Sequence, residues 1–449
     1  MASPGTALVN VNKWLDGAKF NSFHLRVFLL GKGIFTCDGY DLVVYGAAVP
    51  LLMRAFKMGP AQAGAIAGYA LIGAAIGALV FGSLADRIGR KKTIILCASL
   101  FSVCMALTGF TNGPVSFGLL RFLMGLGIGG SMPNVIALSS EYSPGRNRTM
   151  MGGTVTGGMQ IGGIAAALVA MWLFPLFGWR SVFFVGAVPL LFMPLYAKLL
   201  PESPTHLFKS GRLAELRAFL RRVRPAEPLA DDSAFEVSTS GGKAPIAAVF
   251  QDGRAYSTIL IWIMYFMNMY VIFGFTVWLP KLMMNNGYSL SSGLFFLLTL
   301  QVVSYIGVWI FGTIADRFRP RPTLVVAFLL AFTCIAAIPY TRNFILLSLL
   351  VGLSGFGFSG GQGIMNGYVG SFYTPNIRST GVGLTFAVGR LGAILGPALT
   401  GILMSFQLSF HANMMILALP GIIAAICILL VNDKLNFARQ QRELRAARA

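Results

Sequence analysis

The stretch GSLADR, residues 82–87, recurs almost unchanged as GTIADR, residues 312–317. The tripeptide YSP at 142–144 and the RT pair at 148–149 are likewise followed, later in the chain, by YTP at 373–375 and RS at 378–379. Both repeats share a shift of about 230 residues and run in the same order. Self-similarity at a fixed shift indicates that one structural unit occurs twice. The sequence therefore predicts two halves of similar architecture in parallel orientation.

Composition places these halves in a membrane. The chain has 449 residues, of which 56% are hydrophobic and 11% charged, and such a composition excludes a soluble globule. A helix needs ~20 apolar residues to cross a ~30 Å hydrocarbon core. Twelve apolar stretches near that length lie at about 27–52, 61–83, 93–111, 114–139, 150–173, 181–200, 256–280, 290–314, 323–340, 344–370, 380–404 and 412–431. We therefore expect an all-α membrane protein of two six-helix bundles, with a substrate site between them near the midplane.

The positive charge of the chain follows the membrane topology. The net charge is +20, but Lys and Arg gather in alternate short connections between apolar stretches, so we expect no nucleic-acid partner. By the positive-inside rule these connections and both chain ends are cytoplasmic. The expected organisation is an N-terminal tail at 1–24, a first bundle at 25–200, a cytoplasmic linker at 201–254, a second bundle at 255–432 and a C-terminal tail at 433–449. Within the linker, residues 214–223 have the pattern of a short amphipathic helix.

An enzyme finds little support in the sequence. The five cysteines lie in apolar stretches without metal-ligand spacing, so we expect free thiols, no metal and no cofactor. The sequence shows neither a phosphate-binding loop nor a His-based nucleophile arrangement. These observations leave a transporter, or a membrane sensor that binds without transporting.

Two acidic residues, Asp38 and Asp41, interrupt the first apolar stretch. A carboxylate at bilayer depth costs at least about 2.5–3.5 kcal/mol, so two of them need a use or a partner. Three positions apart, they share one helix face, where mutual repulsion and loss of water favour proton uptake by at least one. We interpret them as a proton-coupling site. The alternative is that they bond to neighbouring helices or cap a helix break near Gly39.

Two arginines in apolar surroundings, Arg121 and Arg390, are candidates for binding an organic anion, because a guanidinium matches a carboxylate bidentately. Arg390 lies between Gly389 and Gly392, which we expect to leave space around it. Arg121 could instead pair with Asp38 or Asp41. The aromatic and amide side chains that could contact the substrate are Tyr45, Tyr270, Asn134, Gln160, Asn268 and Gln362, although the amides could equally bond to each other.

Several motifs resemble those of the major facilitator superfamily. The run at 82–91 is similar to its signature loop, 121–130 to its fourth-helix motif, and PESP at 201–204 to the segment closing its sixth helix. DGYD at 38–41 is similar to the acidic pair of its aromatic acid:proton symporters. The resemblance implies import of benzoate-like or hydroxybenzoate-like acids with protons, by alternating access, in the bacterial inner membrane. We expect a monomer to suffice. Alternatives are a symporter of another organic acid or sugar, or a drug exporter.

In that superfamily the signature loop latches the state closed to the cytoplasm. The resemblance therefore implies a gating role for loop residues and their partners at the end of the fourth apolar stretch. These residues are Gly82, Asp86, Arg87, Arg90, Glu141, Arg146 and Arg148, with Asp316 and Arg317 in the second copy. An acid facing a helix N-terminus or an arginine forms such a breakable contact. Simple topology-setting charge is the alternative for this cluster.

Overall fold

The structure of the chain is a computed structural model. It describes residues 8–145, 154–225, 227, 229–230, 233–237, 245–317 and 320–446, without the side chains of 312–317 and 442–446. Within these ranges twelve segments have the length of a membrane helix. We label them α1 to α12: Ser22–Ala55, Pro60–Ile88, Arg90–Thr108, Pro114–Tyr142, Gly158–Phe177, Arg180–Leu199, Ala255–Asn285, Leu290–Arg317, Pro320–Ala337, Phe344–Phe372, Arg378–Ser405 and Phe410–Leu430.

Eleven of the twelve described helices are both long and apolar enough to cross a membrane. The remaining one, α1, has the length but carries the charges of Lys32, Asp38 and Asp41. The helix α6 is irregular, because a 3-10 turn at Val188–Phe192 separates its two α-helical parts. The prediction of twelve membrane helices in two six-helix bundles, α1–α6 and α7–α12, is confirmed.

The internal repeat is visible in the packing of the helices. In the first bundle α2 packs on α4, and in the second α8 packs on α10. A Cβ atom added to Gly125 of α4 would lie 2.0 Å from the carbonyl oxygen of Ala70. A Cβ atom on Gly355 of α10 would lie 2.9 Å from the carbonyl oxygen of Leu300. Equivalent glycines therefore permit the same close helix approach in both halves.

The helix α1 is continuous through Gly39, so the alternative that its aspartates cap a helix break is wrong. Gly39 is required for a different reason. A Cβ atom there would lie 1.7 Å from the carbonyl oxygen of Met159 on α5. The absent side chain lets α1 and α5 touch backbone to backbone, which fixes the face of α1 that carries Asp38 and Asp41.

Replacing Gly39 by alanine should therefore destabilise the first bundle, by about 3 kcal/mol if α1 and α5 are forced apart. The control is Gly383→Ala in α11, where nothing lies within 4 Å of the added Cβ and helix propensity favours alanine by up to about 1 kcal/mol. Thermal unfolding of the purified proteins in detergent measures both changes. Equal melting temperatures for the two variants would contradict the proposed close contact.

The two bundles meet on one side of the molecule, through the pairs α2 with α11, α5 with α8 and α1 with α7. A Cβ on Gly64 would lie 2.6 Å from the carbonyl oxygen of Pro397, and one on Gly46 would lie 2.8 Å from that of Thr276. These positions lie toward the helix ends farthest from the two chain ends. We call this side the sealed face and the opposite one, which carries the chain ends, the open face. At the open-face ends of α2 and α11, the helices that touch at Gly64 and Pro397, Gly82 and Gly383 have nothing within 4 Å of an added Cβ, which agrees with the bundles lying apart there.

The N-terminal tail and the linker fold together on the open face. A short helix at Val11–Asp16 packs on the linker helix Leu213–Val223, which overlaps the amphipathic helix predicted at 214–223. The Trp14 indole donates to the carbonyl oxygen of Leu220 at 3.3 Å. Strand β1, Leu8–Asn10, pairs in parallel with strand β2, Ala234–Glu236. The tail and the linker up to 237 are therefore one unit, and its apolar core is continuous with α1, α3 and α4.

The last part of the linker belongs to the other half. A 3-10 turn at Ile246–Phe250 precedes α7. Its Val249 is fully buried in the core of the second bundle, and the Val249 carbonyl oxygen accepts a hydrogen bond of 3.0 Å from the Thr258 hydroxyl. The described linker residues up to 237 therefore belong to the first half, and those from 245 onward belong to the second.

Candidate functional site: a central cavity

A cavity of about 300 Å³ lies between the two bundles. That volume is at the lower end of the range for ligand pockets, about 300–1,000 Å³. Helices α1, α2, α4, α5, α7, α8, α10 and α11 contribute to its walls. The residues predicted for proton coupling or substrate contact that line it are Asp38, Asp41, Arg121, Gln160, Gln362 and Arg390.

Asp41 and Arg121 form a buried ion pair between α1 and α4. The two residues are only 4% and 2% exposed. The Arg121 guanidinium also lies over the Tyr45 ring, 4.5 Å from its centroid, while the Tyr45 hydroxyl donates to the carbonyl oxygen of Ala63 at 2.6 Å. Arg121 is therefore neutralised by its own bundle, which favours the pairing alternative for this residue. Tyr45 contacts the Arg121 guanidinium with its ring and does not itself line the cavity.

Asp38 and Arg390 face the cavity from opposite bundles. Both are half-buried, and their charges lie close enough to act on each other. Within the described part of the chain, neither has an ion-pair or hydrogen-bond partner at bonding distance. Arg390 is thus a cation available to a ligand, whereas Arg121 is not.

The glycines beside Arg390 serve helix packing and leave no empty space, contrary to our expectation. A Cβ atom on Gly389 would lie 2.2 Å from the Tyr265 ring, and one on Gly392 would lie 2.2 Å from the carbonyl oxygen of Phe266. These contacts bring α11 against α7. They place Arg390 next to Tyr265 at the cavity wall.

A chain of hydrogen bonds runs along the second bundle beside Arg390. The Gln362 amide nitrogen donates to the Tyr265 hydroxyl at 2.7 Å, and that hydroxyl donates to the Asn366 side-chain oxygen at 2.9 Å. The Asn268 amide donates to the Gln362 oxygen at 2.6 Å. The amides therefore bond to each other, which was the alternative to direct substrate contact. Gln362, Tyr265 and Asn366 also line the cavity, so the network reaches the ligand space.

Four residues predicted to contact substrate lie outside the cavity lining: Tyr45, Asn134, Asn268 and Tyr270. Asn134 donates to the Gly130 carbonyl oxygen of its own helix at 2.8 Å. The Tyr270 hydroxyl lies 3.5 Å from that of Thr400. Asn268 is behind Gln362, with its own side-chain oxygen buried and unpaired within the described structure. Six polar lining residues were not predicted, namely Thr156, Tyr265, Thr276, Gln301, Ser359 and Asn366.

Removal of the Tyr265 hydroxyl tests the network. Tyr265→Phe should raise KM for the transported ligand by about fivefold, because the ligand loses one hydroxyl partner in the cavity wall, and one hydrogen bond contributes about 1 kcal/mol. Tyr270→Phe is the matched control and should change KM by less than about twofold, because its weak 3.5 Å contact lies outside the cavity. Measuring KM for uptake by the two variants tests whether the Tyr265 hydroxyl contributes to ligand binding. A larger effect at Tyr270 would restore the sequence-based assignment.

One contact on the open face joins two predicted gating residues, and a second contact beside it joins two residues that were not predicted to gate. Arg90, at the start of α3, pairs with Glu141 of α4 at 2.6 Å, and the Ser203 hydroxyl donates to the same carboxylate at 2.7 Å. The Glu202 carboxylate accepts from the Lys91 backbone N–H at 3.1 Å, at the α3 N-terminus. Both contacts lie within the first bundle and the start of the linker and do not join the two bundles, so the gating role stays a prediction.

The other predicted gating residues are exposed or lie outside the described part of the chain. Gly82 lies in open space, and Asp86 and Arg87 are exposed at the end of α2. This exposure is what a latch residue should show where the two bundles are apart. Arg146 and Arg148 lie outside the described residues, as do the side chains of Asp316 and Arg317.

Comparison with known proteins agrees with this architecture. The sequence profile of the Major Facilitator Superfamily matches residues 33–389 and 311–443. The chain is 38% identical to the benzoate transport protein of Acinetobacter baylyi, over 95% of this chain and 93% of that protein. It is 32% identical to the gallate transporter of Pseudomonas putida, over 95% and 96%. It is 31% identical to the 4-hydroxybenzoate transporter PcaK of Pseudomonas aeruginosa, also over 95% and 96%.

Solved structures show the same fold. The crystal structure of a D-xylose-proton symporter superposes with a TM-score of 0.72 at 18% sequence identity, covering 92% of this chain and 98% of that one. The inward open conformation of the xylose transporter XylE from E. coli gives a TM-score of 0.72 at 15% identity, covering 91% and 96%. At these identities the similarity concerns the fold alone.

Proposed function

Because this chain belongs to the Major Facilitator Superfamily and is a transporter, not an enzyme, we propose that it imports small aromatic carboxylates in symport with protons. The substrates are acids of the benzoate and hydroxybenzoate class, which its relatives are named for. The observation that carries the proposal is Arg390, a cavity cation without a partner among the described side chains. An anion of the right size would supply that partner.

The substrate carboxylate binds Arg390, since a guanidinium can donate two parallel hydrogen bonds to it. The aromatic ring lies against the apolar wall opposite, which includes Ala67, Ala70 and Ile128. The Tyr265 network, on the wall beside Arg390, offers hydrogen bonds to ring hydroxyl groups. This arrangement disfavours cationic drugs, because a cation would meet Arg390 in a cavity with little water.

Protons act through the two aspartates of α1. An ionised Asp38 attracts Arg390 and competes with the substrate carboxylate for it. Protonation of Asp38 removes this competition, so the proton and the anion bind together. Asp41 holds Arg121 in the same wall, and its protonation would release that second cation. Loss of the proton on the other side of the membrane restores the competition and expels the substrate.

Transport proceeds by alternating access, in which the two bundles rock about the cavity. We take the open face as the cytoplasmic one, because positive charges cluster in its loops, and on this assignment the conformation described above is inward-facing. We place the protein in the bacterial inner membrane with both chain ends in the cytoplasm. One chain contains both bundles and the whole cavity, and a monomer should therefore suffice.

The test is uptake of labelled benzoate and hydroxybenzoates into proteoliposomes with an imposed inward proton gradient. Accumulation should occur and should collapse when a protonophore dissipates the gradient. Asp38→Asn combined with Asp41→Asn should abolish gradient-driven accumulation. Retained accumulation in that double variant would overturn the coupling assignment. Binding of benzoate by the wild-type protein without any accumulation would identify a sensor, and accumulation of xylose alone would identify a sugar symporter.

A further inference from the structure

The sealed face of the protein carries cations and no acids. Its helix ends and turns contain five basic residues: Arg54, Lys57, Arg180, Lys281 and Arg342. Acidic residues are absent from residues 42–85, 87–140, 142–201, 253–315 and 317–432, which include every turn on this face. The charges of the open face, by contrast, are of both signs. Under the proposed function the sealed face is the external one, from which the anionic substrate arrives.

Two of these cations lie where the bundles meet. The helices α1 and α7 are equivalent in the two halves and touch at Gly46 and Thr276. Arg54 follows about two turns after Gly46, in the last turn of α1, and Lys281 lies near the end of α7. We call the line along which the two bundles touch on the sealed face the seam. Both helices run toward that face, so the two side chains lie at the outer end of the seam, one from each bundle.

Among the described residues, these two cations have no counterion. Arg54 is exposed and Lys281 is half-buried, and the charge of Arg54 acts on Lys281. Neither has an ion-pair or hydrogen-bond partner in the part of the chain that the structure describes. Two like charges from opposite bundles therefore repel each other across the closed seam. A carboxylate between them would offset this repulsion with two opposite-charge contacts.

We propose that Arg54 and Lys281 form an external carboxylate-binding site, which captures the substrate anion before it passes to Arg390. This inference rests on the proposed function, because it takes the sealed face as the external one. Charges of one sign around a cleft raise the local concentration and the association rate of an oppositely charged ligand. Salt screens such attraction over ~8 Å at physiological ionic strength. The two cations at the seam should therefore attract the substrate more strongly than the cations elsewhere on this face.

The experiment measures KM and kcat for benzoate uptake into proteoliposomes under a fixed proton gradient, at about 20 mM and about 500 mM ionic strength. The variant is Arg54→Gln with Lys281→Gln. At low ionic strength its KM should rise about tenfold with kcat unchanged. At high ionic strength the difference from wild type should shrink to less than about twofold. Arg54→Lys with Lys281→Arg keeps both charges and should keep the wild-type KM.

Two controls separate this site from a general surface effect. Arg342→Gln removes a cation of the same face from the turn between α9 and α10, away from the helix pairs of the seam, and should leave KM within about twofold. Efflux of benzoate from loaded vesicles, measured for the neutral double variant, should keep its wild-type KM, because the substrate then enters from the other face.

An equal KM increase in Arg342→Gln and in the neutral double variant would overturn the site in favour of a diffuse surface charge. An unchanged KM in the double variant, or an equal increase in the charge-preserving variant, would overturn it as well. These results leave the proposed function intact whenever wild-type uptake is proton-coupled. Failure of the wild-type protein to accumulate any aromatic acid would instead overturn the proposed function and this inference together.

Discussion

Replacing Arg390 by glutamine should lower kcat/KM for aromatic acid uptake by about 100-fold, which corresponds to about 3 kcal/mol of lost interaction with the carboxylate. The guanidinium lines the cavity and has no other partner among the described side chains. Its removal therefore costs the protein little stability while it removes the cation that balances the substrate. Transport and folding should respond independently to this substitution.

The conservative variant Arg390→Lys separates charge from geometry. Lysine keeps the positive charge but lacks the planar pair of donors that matches a carboxylate, so an intermediate loss of about tenfold is expected. Melting temperatures of both variants in detergent should stay close to that of the wild type. If Arg390→Gln transports with kcat/KM within a factor of two of the wild-type value, Arg390 cannot be the substrate anchor.

Replacing Asp41 by asparagine should abolish proton-coupled accumulation and also destabilise the protein by about 3–5 kcal/mol, because the buried Arg121 loses its counterion. Asp41 and Arg121 are 4% and 2% exposed, so water cannot replace the lost partner. Asp38→Asn is the matched comparison on the same helix. Asp38 is half-buried and has no bonded partner within the described structure, so this change should affect coupling but not stability.

A double variant tests whether the stability loss arises from the unpaired charge. Adding Arg121→Gln to Asp41→Asn should recover a large part of the stability, since removing both charges is less costly than leaving one. It should not recover gradient-driven accumulation. Thermal unfolding and uptake are measured on the same preparations. A double variant less stable than Asp41→Asn alone would show that Arg121 stabilises α4 by contacts other than the ion pair.

The fold was predictable because its signals are redundant along the chain. Twelve apolar stretches, alternating basic loops and the repeated GSLADR and GTIADR segments all point to the same architecture. The membrane also restricts the answer to helices whose backbone groups bond internally. Gly39 shows the limit of such signals. Its place between two aspartates is compatible with a helix break, whereas the structure requires it for contact with α5.

The charged residues of the cavity were easier to find than the neutral ones. Asp41 and Arg390 are conspicuous because charge inside an apolar stretch is rare. A tyrosine in a helix rich in aromatic residues is not conspicuous in the same way. The sequence indicated Tyr270 as a candidate substrate contact, whereas the residue that lines the cavity is Tyr265. The two are five positions apart, and they therefore point to different sides of α7. Which side faces the cavity is decided by packing on α11, since Gly389 receives the Tyr265 ring.

The internal repeat gives these residues counterparts in the first half, but it does not show which of them face the cavity. A shift of 230 residues pairs Tyr265 with Phe35 and Asn366 with Ile136, and all four line the cavity. The same shift pairs Tyr270 with Tyr40, whose hydroxyl donates to the Val182 carbonyl oxygen within its own bundle. Since Tyr265 and Tyr270 both have an aromatic counterpart in the first half, only the structure separates them. The same shift pairs Arg390 with Gln160, and both of these residues line the cavity.

The length of chain between the two anchored parts of the linker limits how far the bundles can separate in the proposed alternating-access motion. The tail and linker up to Val237 belong to the first half, and Val249 is already buried in the second. Eight peptide steps connect Val237 to Pro245, and fully extended they reach no more than about 29 Å. In the proposed rocking motion, the two anchoring points therefore cannot separate beyond that length. Shortening or lengthening this connection by a few residues therefore offers a way to decrease or increase the largest possible separation of the bundles without altering the cavity.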